Sequence, residues 1–316
     1  MYDLIGDIHG HADALVQLLQ LLGYQSHEGI YRHPERKVIF LGDFIDRGPQ
    51  IQKVLKIVQQ MVAAGTAYAV MGNHELNAIA YHTEDRNAPG EFLRRHSPSN
   101  NHQHRQTVEQ LTPDELKFYL EWFRTLPMWL ELEGLRAVHA CWDDRAIARV
   151  RQDHPNDQPL LPSFLQSACR PGNELFDAVE TLLKGKEAPL PGMAFFRDKE
   201  GHVRRNVRVR WYLSPERHTI RSYAMTDEIE SDHQLDEASI AAAVPYPSDA
   251  PPVFCGHYWL APIRPEILAP NVACLDFSVA KGGFLCAYRW QGEHRLANEH
   301  FVWTNQPGND DAIPNV

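Results

Sequence analysis

No apolar run in the chain approaches the roughly 20 residues that a membrane helix requires, so no bilayer span is expected. Cysteine is scarce. The five cysteines, Cys141, Cys169, Cys255, Cys274 and Cys286, are odd in number, scattered and without a CxxC pair, which argues against both a disulfide framework and a zinc knuckle. Basic residues are in the minority, 31 Lys and Arg against 41 Asp and Glu, and the resulting formal charge of -10 repels a polyanionic backbone unless a bound metal or a local patch reverses the field. Long duplex nucleic acid is therefore not an expected partner. The opening residues Met1 to Gly6 have no basic segment and no apolar leader core, so the expected location is a reducing cytoplasm. Internal repeats are also missing, and with 43% apolar residues in 316 the composition is that of an ordinary globular chain.

What is present is a strand, loop and helix pattern that occurs three times in succession and implies an α/β fold. Residues 2–6 form a short apolar run, followed by Asp7-Ile8-His9-Gly10 and then Leu15, Leu18, Leu19 and Leu22 at helical spacing. Val38-Ile39-Phe40-Leu41 runs into Gly42-Asp43, and Ile51, Val54, Leu55, Val58 and Val62 mark the next helix face. Ala67 to Met71 ends in Gly72-Asn73-His74-Glu75. Periodicity fades over 82–106, which reads as a solvated loop or lid, its His102 and His104 included. Thr112-Pro113-Asp114-Glu115 has the form of a capping box opening a helix. Trp129 to Leu132, Gly134 and Leu135 to His139 read as a hairpin. The 143–250 segment is the least regular and reads as an insertion, with an alternating strand over Val203 to Leu213. Apolar runs at 253–255, 272–277, 284–290 and 300–303 suggest terminal strands.

The polar clusters share one context. Asp7 and His9, then Asp43, Asp46 and Arg47, then Asn73 and His74, then His139 and His257 each follow a β-type run, mostly beside glycine. In an α/β fold, loops beyond the carboxyl ends of strands are where ligands gather. Carboxylate, imidazole and amide oxygen suit a borderline-hard divalent cation, and this many donors exceeds the needs of one ion. They fit a two-metal site in which a carboxylate is shared.

Gly6-Asp7-Ile8-His9-Gly10, Gly42-Asp43-Phe44-Ile45-Asp46-Arg47-Gly48 and Gly72-Asn73-His74-Glu75 resemble the GDxHG, GDxxDRG and GNHE motifs of the calcineurin-like metallophosphoesterases. The resemblance is nearest to the phosphoprotein-phosphatase branch, which includes bacterial Ser/Thr phosphatases and symmetrical diadenosine tetraphosphatases. It is strong over residues 1–80 and resumes at His139 and Gly256-His257. It implies one domain over 1–316 with a four-layer αββα sandwich. It also implies two divalent ions, Mn²⁺ first with iron or zinc as alternatives. Asp7 and His9 would bind one ion, Asp43 would bridge, and Asn73, His139 and His257 would bind the other. A hydroxide between the ions would attack phosphorus directly. His74 would protonate the leaving oxygen with Asp46 orienting its ring, and Arg47, with Asn73, would bind the phosphate.

The family usually adds a second arginine. Arg204, Arg205, Arg208 and Arg210 compete for that role, and Arg210, beside Trp211, is favoured. Trp259 stands two places after His257, where some phosphodiesterases carry another histidine, and this points away from those branches. The expected reaction is hydrolysis of a phosphate monoester on a protein or small molecule. A symmetrical dinucleoside tetraphosphate and an RNA phosphate end are the alternative substrates. A metal-stabilised binding module without turnover and a scaffold built on the 82–106 and 143–250 segments are the rival classes; no oligomeric state is assigned.

Overall fold

The computed structural model describes residues 1–190, 195–197, 203–226, 229, 233–235 and 244–305, which leaves part of the 143–250 segment outside the described residues. The chain divides into two compact units, Met1–Leu183 with Pro251–Val316, and Lys184–Ala250.

In the first unit, strands Tyr2–Ile5, Lys37–Phe40 and Ala67–Ala69 lie parallel and side by side. Phe284–Trp290 joins them antiparallel to Tyr2–Ile5, pairing Leu4 with Tyr288, and itself carries Asp276–Phe277 and Phe301–Trp303. A second sheet runs Val272–Cys274, Val253–Cys255, Leu135–Val138, Trp129–Leu132, in which only the last pair is antiparallel. Its hairpin turns at Gly134, whose φ of 81° is a conformation glycine adopts without penalty. Leu4, Ile39, Leu41 and Val70 of the first sheet and Leu135, Ala137, Phe254 and Ala273 of the second form one buried cluster, the middle of the sandwich.

The helices cover what the sheets leave open. Ala12–Leu21 buries Leu15, Leu18 and Leu19, and Ile51–Ala63 buries Ile51, Val54, Leu55 and Val58, the faces expected from their spacing. Val38, Ile39 and Phe40 are consecutive and all buried because their strand is covered on both faces. Pro113–Arg124 opens with the expected capping box between Thr112 and Glu115. Helices Asp144–Asp153 and Pro162–Ala168 fall in the first unit, and the second unit runs from Lys184 to Ala250. Among the described residues no helix is long and apolar enough to cross a membrane.

Two expectations need correction. The stretch expected as a loop over 82–106 ends in a helix, Pro98–Gln110, capped by Ser97, whose side chain accepts from the Asn100 N–H at 3.2 Å. Its buried positions are His104 and Thr107, so its inner stripe is polar and hydrophobic periodicity does not reveal it. The single strand expected over Val203 to Leu213 is instead broken at Arg205. In the second unit, Val203–Arg204 pairs with Phe196–Arg197, whereas Asn206–Arg208 pairs with Glu187–Pro189 around a core that includes Val207, Ile220 and Tyr223.

At the edge away from the polar loops, buried Asp3 accepts from Arg36 Nε at 2.9 Å and Tyr24 hydroxyl at 3.0 Å, with Arg289 Nε 3.3 Å away. Arg36 Nη2 also donates to the carbonyls of Tyr2 and Trp290, tying the outer sheet together. Removing one partner of such a buried pair strands the other, so Asp3→Ala should cost about 3–5 kcal/mol in urea unfolding. Lys53→Ala, which removes the half-exposed pair with Asp13, should cost no more than about 1 kcal/mol. Equal losses in the two variants would contradict this account.

Candidate metal centre

Parallel strands of both sheets are followed by polar loops whose donor atoms meet. Asp7 and His9 follow Tyr2–Ile5, and Asp43, Asp46 and Arg47 follow Lys37–Phe40. Asn73 and His74 open the helix Asn73–Tyr81, while His139 and His257 follow Leu135–Val138 and Val253–Cys255. Asp7, His9, Asp43, Asp46, Asn73, His74, His139 and His257 are all buried.

Backbone conformation marks the same place. Eight non-glycine residues among those described have positive φ, and six of them are His9, Asp43, Asp46, Arg47, His257 and Trp259. Each such residue costs on the order of 1 kcal/mol or more, so strain is concentrated where side chains must be aimed. Close approach makes the neighbouring glycines necessary. A Cβ at Gly72 would collide with Asp43 Oδ1, and one at Gly256 with Asp7 Oδ1.

The imidazole tautomers follow from what each ring touches. His9 Nδ1–H donates to the Ile45 carbonyl at 2.8 Å, and His139 Nδ1–H donates to the Leu41 carbonyl at 2.7 Å. In the neutral rings the Nε2 lone pairs are thereby turned inward. His9 Nε2 is buried with no hydrogen-bond partner and lies 3.6 Å from Asp43 Oδ2. His139 Nε2 lies 3.4 Å from Asp43 Oδ1 and 3.1 Å from Asn73 Oδ1. Donor atoms thus converge on both sides of Asp43, in two triads that share it: His9, Asp43 and His74, and Asp43, His139 and His257. Lone pairs facing carboxylate oxygens in a buried space repel unless a proton or a cation lies between them, so the donor set fits divalent metal.

The proton affinities describe the same field. Burial would raise Asp43, but the histidines 139 and 74 outweigh it and hold its carboxyl well below the usual range. His9 is pushed down to about 3 by burial and by His74. Asp7 is raised well above the ordinary value by burial and by the carboxylates of Asp276 and Asp43. Asp7 lies outside both triads, and its oxygens accept from the His257 N–H at 3.1 and 3.2 Å.

His74 differs from the other histidines. Its Nδ1–H donates to Asp46 Oδ2 at 2.5 Å, and its Nε2 is 3.9 Å from Asp43 Oδ2. Burial opposes its protonation, yet Asp43 and Asp46 raise its proton affinity overall. The Arg47 guanidinium lies 4.3 Å from the Trp259 ring centroid, and Lys281 Nζ is 4.5 Å from the same ring. Arg210 belongs to the other unit, where its Nε donates to the Ala224 carbonyl at 3.0 Å.

Sequence reasoning left several supporting residues without a role. Glu75 is fully buried and accepts from the backbone N–H groups of Asp43, Phe44 and Gly72 at 2.8, 2.8 and 2.9 Å, pinning two loops with one carboxylate. Its position at the third residue of a helix after glycine was the available signal. Asp276 is buried and accepts from the strained Trp259 N–H at 2.7 Å. His104 and Thr107 bond to Asp46, and Gln110 bonds to Gly48 and Ile51; their three-residue spacing was the only clue.

Comparison with known proteins agrees with this geometry. Over 74 residues the chain is 46% identical to the asymmetrical bis(5'-nucleosyl)-tetraphosphatase PrpE of Halalkalibacterium halodurans, and over 73 residues 48% identical to the protein of that name from Oceanobacillus iheyensis. Each match takes in 23% of this chain and spans only 30% and 29%, respectively, of those relatives' own length. The cold-active protein-tyrosine phosphatase of a psychrophilic Shewanella species aligns over 96% of this chain and 76% of its own, with TM-score 0.50 and 18% identity, a likeness of fold alone. The profile of the calcineurin-like phosphoesterases matches residues 2–236, a stretch that carries every loop from Asp7 to His139, and the chain belongs to that family.

Proposed function

We propose that the chain is a two-metal phosphohydrolase acting on phosphate monoesters, and the observation that carries this reading is Asp43, shared by two inward-facing donor groups. Asp7, His9 and Asp43 would hold one cation; Asp43, Asn73, His139 and His257 would hold the other. Oxygen and nitrogen donors without thiolate favour Mn²⁺, with iron and zinc as alternatives. Bound there, the cations would supply Lewis-acid neutralisation of phosphate charge and lower the pKa of water.

The chain's own residues do the rest. Arg47, its plane set by Trp259, clamps non-bridging phosphate oxygens together with the Asn73 amide. As the bond between phosphorus and the leaving oxygen breaks, His74 delivers its Nε2 proton to that oxygen. Asp46 accepts the Nδ1–H throughout and keeps the ring aimed. Burial raises Asp46, but hydrogen bonds from His104 and His74 dominate and hold it well below the ordinary carboxylate range, so it steers the imidazole without taking its proton. A purely structural metal site would have no use for this dyad. His74 could also reach a cation, as its place in the first triad allows, and metal content separates the two roles.

Within this class a symmetrical dinucleoside tetraphosphate is the second substrate reading, supported as to substrate by the names of the relatives that match 23% of the chain, which are printed as asymmetrical tetraphosphatases. An RNA phosphate end fits less well with a net charge of -10.

Asp43→Asn should lower bound metal, measured by elemental analysis, and abolish hydrolysis of p-nitrophenyl phosphate; normal turnover would refute the two-metal reading. His74→Asn should keep its metal and lose about 10²–10⁴-fold in kcat, whereas a variant depleted of metal would make His74 a ligand. Chelation should stop turnover and added Mn²⁺ should restore it. Products separate the substrates: two ADP from diadenosine tetraphosphate mean symmetrical cleavage, AMP with ATP mean asymmetrical cleavage, and release from phosphopeptides alone supports the monoester reading.

A further inference from the structure

Asp46 is gripped from two sides. His74 donates to its Oδ2, whereas its Oδ1 receives His104 Nδ1–H at 3.0 Å and the Thr107 hydroxyl at 2.5 Å. The Asp46 backbone N–H in turn donates to Thr107 Oγ1 at 3.1 Å, so one helical turn holds both the carboxylate and the left-handed backbone beneath it. His104 is 5% exposed, and its Nε2 lies 3.2 Å from His82 Nε2, which fixes the ring from behind. The helix bearing His104 has its own anchors to Asn73–Tyr81. Arg94 donates to both Asn77 and Gln103, and the Tyr81 hydroxyl donates to Asn101.

We propose that His104 is a positioning residue for proton delivery, acting through Asp46 on His74. A carboxylate held by one imidazole alone can rotate about its last bond and carry that imidazole with it. Donors on both oxygens remove this freedom, so the His74 Nε2 proton stays aimed at the leaving oxygen. The inference rests on His74 being the proton donor, as proposed above, and adds a second imidazole on Asp46, from the segment between the third strand-end motif and the hairpin.

General-acid catalysis matters most when the leaving group is basic, and this supplies the test. The metal-loaded full chain is assayed with phenyl phosphate and p-nitrophenyl phosphate, whose leaving phenolates differ in basicity. His104→Leu should lower kcat for phenyl phosphate about ten-fold and for p-nitrophenyl phosphate much less, with KM and metal content near wild type. His104→Asn, whose amide N–H can stand where Nδ1 stands, should recover most of the loss. His104→Gln, equally polar but with its donor displaced, should behave like Leu, and this comparison holds even if the Leu variant does not fold. Equal losses on both esters, no loss, or an Asn variant as poor as Gln would overturn the proposal. If His74→Asn itself leaves the difference between the esters unchanged, the underlying acid role fails. If His74→Asn widens it and the His104 variants do not, only the role of His104 fails.

Discussion

A single buried carboxylate facing two imidazole lone pairs is the constraint around which the polar half of the molecule is organised. Asp43 cannot be relieved by water, because it is 1% exposed, and the rings on either side have already committed their Nδ1 protons to backbone carbonyls. Such an arrangement is unfavourable until positive charge enters it. The left-handed residues and the tight glycines around it are the conformational cost of bringing those groups together.

The surrounding shell is built from shared acceptors. Glu75 collects three backbone N–H groups from two loops, and Asp46 collects donors from a helix start and from the inner face of another helix. Asp276 does the same for the turn that carries Trp259, and Trp259 in turn seats Arg47. Each of these carboxylates links elements distant in the chain, so the loops that bear reactive groups are held from beneath. Rigid support of this kind lets short loops present several side chains with little freedom left to lose.

The aspartates, histidines, Asn73 and Arg47 that meet here could be read from sequence because each combines a reactive side chain with the end of an apolar strand and a nearby glycine. Helix faces such as Leu15, Leu18 and Leu19 were equally plain, since burial there is apolar and periodic. The helix Pro98–Gln110 was hidden for the opposite reason: what it buries is His104 and Thr107, and a polar inner stripe looks like a solvated surface. The arginine-rich segment misled by its alternation. A bend at Arg205 and backbone pairing of Arg210 with Tyr223 produce two short strands and a turn from a pattern that also suits one long strand. Pairing partners that come later in the chain leave no local trace.

The donors of one triad come from both sheets, Asp43 from the first and His139 with His257 from the second. An ion held there would therefore be bound by both layers and by neither alone. By mass action, its free energy of association becomes cohesion between the layers, growing with the logarithm of the free ion concentration. On the proposed function, catalytic competence and resistance to unfolding would then be set by the same supply of metal.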